Sequence, residues 1–154
     1  MKEGRKRVLA LFCLVGLGIP TTLLAFMLIA RYGPWSLDRA EVTQGTLNLA
    51  AACVAAAGLA AWAFFDLYLF GRLWKIFPHI GDREKAWSYA DGVFVLQGVG
   101  SSMASVLGVF FFLFSGDFAR GAALAALSYL FALFEVARFP ARMERVEETI
   151  ERMG

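Results

Sequence analysis

The sequence has one histidine, two cysteines and four prolines in 154 residues, and each scarcity removes a class of protein. His79 lies outside every apolar run, so no pair of histidines is available to ligate a haem inside a membrane, and nothing near it completes a metal site. Cys13 and Cys53 follow no metal-ligand spacing and fall near opposite membrane faces under the topology derived below, so they are expected to form neither a disulfide nor a zinc site. The chain has no His-Glu-x-x-His helix and no Gly-x-Ser-x-Gly elbow. Gly16-x-Gly18 runs into Pro20 and lacks the third glycine and preceding strand of a phosphate loop. Asp82, Glu84 and Asp91 are not clustered in a way that holds a catalytic metal for lipid phosphotransfer. No enzymatic activity and no cofactor are expected. No nucleic-acid partner is expected, because the only support for one is a short basic N-terminus that topology already explains.

What the chain does have is apolar length. Hydrophobic residues make up 59% of it and the mean hydropathy is +0.61, well above a soluble domain of this size. The excess falls in four blocks, about residues 8–30, 46–70, 91–114 and 118–138. Each has roughly the 20 residues needed to cross a hydrocarbon core of about 30 Å. The expected fold is all-α, an integral membrane four-helix bundle occupying residues 1–139, followed by a short amphipathic helix over 140–154.

Charge distribution orients it. Lys2, Arg5, Lys6 and Arg7 precede the first span; Arg72, Lys75, Arg83 and Lys85 separate the second from the third; Arg138, Arg142, Arg145 and Arg152 follow or end the fourth. The other two loops carry only Arg31, Arg39 and Arg120. The positive-inside rule therefore puts both termini and the middle loop in the cytoplasm, as expected for a multi-pass protein of the cell (inner) membrane. The first block is longer than a signal-peptide core of about 7 to 15 residues and lacks a clear cleavage site, so it is read as a retained span.

Local signals mark the helix ends. Gly16, Gly18 and Pro20 predict a packing kink in the first helix. Tyr32, Pro34 and Trp35 mark the outer interface, and Ser36 is a cap for a short surface helix through Asp38, Arg39 and Glu41. The second helix is expected to reach Ile76 and stop before Pro78, with Tyr68 and Trp74 in an aromatic belt. Asp82 is the predicted cap of the third helix, near Arg83, and Asp117 that of the fourth, reached through the tight turn Ser115-Gly116. A turn that short makes the last two spans antiparallel neighbours. Pro140 is expected to break the fourth helix. Beyond it Met143, Val146, Ile150 and Met153 recur at helical spacing, with Glu148 and Arg152 as a favourable pair, and four basic residues balance four acidic ones from Arg138 to Gly154. That balance argues against strong binding of anionic lipid; packing under the bundle or against another subunit is expected instead.

The polar residues inside the spans carry the functional question. Gly121, Ala125, Ser128, Ala132 and Glu135 share one face of the fourth helix, and Asn48, Ala52, Ala55, Leu59, Trp62 and Asp66 share one face of the second. On the third, Gln97, Ser101, Ala104 and Gly108 form a line with Gly98, Ser102 and Ser105 beside it, a pattern for close helix contact. Counting from the span ends puts Asp66, Gln97 and Glu135 in one layer, roughly 5 to 9 Å inside the cytoplasmic boundary. Two readings follow. In the preferred one the carboxylates pair with Arg72 or Arg138 and lock the helix ends; in the other, Asp66, Gln97 and Glu135 line a pathway for a cation, a proton or a polar substrate. The corresponding functions are a non-enzymatic accessory or assembly component acting through helix packing, or a small oligomeric transporter or ion-conducting protein. The partners expected are the lipid bilayer and another membrane protein or further copies of the chain.

Overall fold

The computed structural model describes residues 2–33 and 43–152. Pro34, Trp35 and the expected surface helix after Ser36 lie outside the described residues, as does Met153. Four helices account for nearly all the rest: α1 (Lys2–Tyr32), α2 (Gln44–Ile76), α3 (Arg83–Ser115) and α4 (Phe118–Glu151). A single 3-10 turn, Phe77–His79, joins α2 towards α3. Each helix is long and apolar enough to cross a membrane. At about 1.5 Å per residue, helices of 33 or 34 residues are about 50 Å long, so α2, α3 and α4 overshoot a hydrocarbon core of about 30 Å.

The caps fall where polar side chains can accept orphan N–H groups. Thr43 accepts from Thr46 N, Asp82 from Glu84 N and Asp117 from Arg120 N, at 3.3, 2.9 and 3.0 Å. Gly116 closes α3 at a φ of 66°, where a Cβ would be strained, and its N–H donates to the Phe112 carbonyl at 2.8 Å.

Pro140 does not end α4, contrary to expectation: the helix continues through it to Glu151. A proline inside a helix costs about 3 kcal/mol in a lost hydrogen bond and steric conflict. Here the segment beyond it buries Met143, Val146 and Ile150 against a cluster with Val8, Phe77, Ala86 and Ala90. Three such side chains, at about 1.5 to 3 kcal/mol each, outweigh the penalty. The residues expected to form a separate amphipathic helix are thus the far end of α4, packed on the chain's own bundle.

The start of α1, the end of α2, the start of α3 and the end of α4 meet in one basic end of the molecule. Arg5 pairs with Glu147 at 3.0 Å, and Arg83 donates to the Glu151 carbonyl at 3.3 Å. The core has two apolar clusters, one at this end around Phe70, Leu73, Phe94 and Phe139, the other at the opposite end around Met27, Val109 and Phe112. Between them, along α3, lies a waist of small and hydroxyl residues. Gly98 lies so close to α1 that a Cβ on it would stand 3.3 Å from the Gly16 nitrogen, and a Cβ on Gly108 would stand 2.8 Å from the Gly121 carbonyl of α4. The Ser105 N–H donates across to Ser128 Oγ at 2.7 Å. Gln97, Ser101, Ala104 and Gly108 on α3, and Gly121, Ala125, Ser128, Ala132 and Glu135 on α4, are all buried, so both small-residue faces are contact faces.

α3 is the hub and packs against the other three helices. In its most apolar stretch 61% of the residues are buried, whereas in that of α2 6% are. α2 leans on α3 and meets α4 only along a narrow seam.

Candidate functional site

That seam is where the charges of the long apolar helices gather. Asp66 on α2 faces α4, as does Trp62 one turn earlier; Glu135, Arg138 and Arg142 project towards them from α4. Arg142 forks its guanidinium, giving Nη2 to Asp66 Oδ1 and Nη1 to Glu135 Oε2. Arg138 Nη1 lies 3.0 Å from Asp66 Oδ2 and 3.8 Å from Glu135 Oε1. The indole N–H of Trp62 donates to Glu135 Oε1 at 3.1 Å. Every oxygen of both carboxylates therefore has a donor, and two negative charges face two positive ones.

Aromatic rings flank the cluster. Trp62 stacks on Phe131 with centroids 5.0 Å apart and planes 11° apart. Arg142 lies 4.0 Å above the centre of the Phe70 ring and Arg138 5.2 Å from that of Phe134. The Glu135 side chain keeps only 2% of its exposure, Arg142 13%. A planar fork reaching two carboxylates at once suits arginine and not lysine, whose ammonium is a single point of charge. Such networks roughly break even against well-packed apolar side chains, but leaving one member unpaired is expensive. The arrangement fixes which face of α2 meets α4, and it leaves neither carboxylate as a free base.

A second polar tie closes the other end of the same seam. Arg120, near the start of α4, donates to Asn48 at 2.6 and 3.1 Å and to Gln44 at 2.9 Å, and pairs with its own cap residue Asp117. Asn48, Trp62 and Asp66, aligned on one stripe by spacing, thus all bond to α4. Between the two ties α2 stands off: Ala52 and Leu59 of that stripe are exposed.

Of the expected site residues, Asp66 and Glu135 come together around Arg138 and Arg142. The structure does not join Gln97 to them. Gln97 is buried in α3, and among the described residues neither of its amide atoms has a hydrogen-bond partner. Arg72 does not serve Asp66 either; it donates to the Tyr68 hydroxyl at 2.8 Å. Six residues at about 100° each leave Arg72 about 120° around the helix from Asp66, on a different face. The central member, Arg142, was missed. With Pro140 read as a helix end, Arg142 had no reason to share a face with Glu135; on a continuous helix, Glu135, Arg138, Arg142 and Arg145 recur at three, four and three residues.

Among the described residues no three His, Cys, Asp or Glu side chains come together as metal ligands. No protein-family model matches this chain, and no curated protein and no solved structure matches it. The fold defines it as a bundle of four membrane-length helices.

Proposed function

We propose that this protein is a non-enzymatic integral membrane component, of accessory or assembly type, that presents α2 to another membrane protein or to a second copy of itself. The observation that carries this reading is that only 6% of the residues in α2's apolar stretch are buried, against 61% in the corresponding stretch of the hub helix. Ala52, Cys53, Ala56, Ala57 and Ala60 are exposed on α2, and small side chains let a neighbouring helix approach closely. The charge network supports the same reading, since it holds α2 in one rotation while its donors occupy the carboxylates that a transport pathway would need free. The concentration of arginine and lysine at one end supports an orientation with both termini in the cytoplasm of a cell whose inner membrane holds the protein.

Site-specific photo-crosslinking in native membranes tests this. A crosslinker replacing exposed Ala57 should give one discrete protein adduct, a dimer or a heteromeric product, and one replacing buried Ser102 should not. Capture of lipid alone at Ala57, with a clean monomer on purification, would contradict the proposal.

A further inference from the structure

From Arg138 to Gly154 acids and bases are equal in number, yet the groove between α2 and α4 takes only bases from that segment. Glu147 turns to Arg5 of α1, and Glu148 lies 3.9 Å from Arg152. Arg138, Arg142 and Arg145 line a groove of about 620 Å³ between α2 and α4 at the basic end. Asp66 is the only acid in its wall. Counting Glu135 behind it, two carboxylates face three guanidiniums and one positive charge is left over. The surplus resides on Arg145, which has no carboxylate within ion-pair distance among the described residues and rests 4.7 Å from the centre of the Trp74 ring. Balance along the sequence had argued against an anionic lipid; balance across this face does not hold.

Depth gives the groove two chemistries. Its inner part, at Asp66, Leu67 and Ala137, lies within the apolar spans, and Arg145 is ten residues beyond Glu135 on the same helix, about 15 Å further out. A ligand that fills it is apolar at one end and anionic at the other. We propose that this groove is a binding site for an anionic phospholipid, with the phosphate held by Arg145, an acyl chain along Leu67 and Ala137, and Trp74 at the level of the headgroup. The site is independent of whether α2 also meets a protein partner.

The full-length protein, delipidated in a neutral detergent, is titrated with phosphatidylglycerol, with phosphatidylcholine of the same chains, and with soluble glycerol 3-phosphate, and thermal unfolding is followed. Phosphatidylglycerol should raise the midpoint saturably and phosphatidylcholine should not. Arg145→Gln should keep the lipid-free midpoint, because Arg145 lies outside the charge network, and should weaken half-saturation about fivefold. Ala141→Leu, which fills the groove wall without altering charge, should weaken it too, whereas Arg72→Gln on another face of α2 should not. Equal effects of the two lipids, displacement of phosphatidylglycerol by glycerol 3-phosphate, or equal weakening by Arg72→Gln would overturn the proposal. So would unaltered lipid binding in both Arg145→Gln and Ala141→Leu.

Discussion

Arg142 and Glu135 stand seven residues apart on one helix and bond directly to each other, while the second Nη group of the same guanidinium reaches Asp66 on the neighbouring helix. The pairing depends on α4 passing unbroken through Pro140. Replacing Arg142 with Met leaves two buried carboxylates with only Arg138 between them, a change that should cost about 3 to 5 kcal/mol. Removing the charges together, in Asp66→Asn/Glu135→Gln/Arg142→Met, should recover most of that loss. Unfolding of the purified variants in detergent checks both, and a triple variant as unstable as the single one would show that the network contributes more than charge compensation.

The waist of α3 makes a steric prediction with an internal control. A Cβ on Gly108 meets the Gly121 carbonyl at 2.8 Å and Leu124 Cβ at 3.0 Å, and backbone cannot step aside without moving α4. Gly108→Ala should destabilise by about 1 to 3 kcal/mol. Gly92 lies on the same helix with nothing near its missing Cβ, so Gly92→Ala should be neutral or gain up to about 1 kcal/mol from helix propensity. Parallel unfolding curves settle the comparison.

Gln97 separates a packing role from a polar one. Its buried amide is unpartnered among the described residues, and burying an unsatisfied polar group costs about 1 to 3 kcal/mol. Gln97→Met, similar in length, should therefore raise the unfolding midpoint. A fall would mean that the amide makes a contact that the isolated chain does not contain.

At the far end of the seam, pH is the probe. Burial pushes the Asp117 carboxyl upward, but the Arg120 backbone N–H, the Arg120 side chain with its charge, and the Ala119 N–H together hold it below the usual aspartate range. A carboxyl whose folded value is depressed stabilises fully above its unfolded value of about 3.9, and that contribution is lost as pH falls through the folded value. The stability difference between wild type and Asp117→Asn should be constant from pH 7 to about 4 and shrink below that. A difference that shrinks already near neutral pH would mean that Asp117 is not held ionised by Arg120.

Much of this architecture is legible in the sequence because apolar length and small-residue periodicity are local properties. The four spans, the caps at Asp82 and Asp117, and the buried faces of α3 and α4 follow from counting residues. The assembly of the charge cluster is not local. It turns on whether Pro140 breaks α4, and that is decided by the burial of Met143, Val146 and Ile150 against helices more than fifty residues away in sequence. Once the helix is continuous, Arg142 joins Glu135, and Arg138, Arg142 and Arg145 line one groove. Gln97 shows the complementary limit: helical rise gives a depth, and depth does not give a partner.

In the proposed function Asp66 and Glu135 hold α2 against α4 and conduct nothing. Asp66→Asn/Glu135→Gln keeps shape and removes both negative charges, and is assayed in parallel for thermal unfolding and for proton or cation flux in liposomes. The unfolding midpoint should fall and, for wild type and variant alike, flux should be no greater than in protein-free vesicles. A variant that unfolds at the wild-type temperature while abolishing a flux that the wild type supports would contradict it.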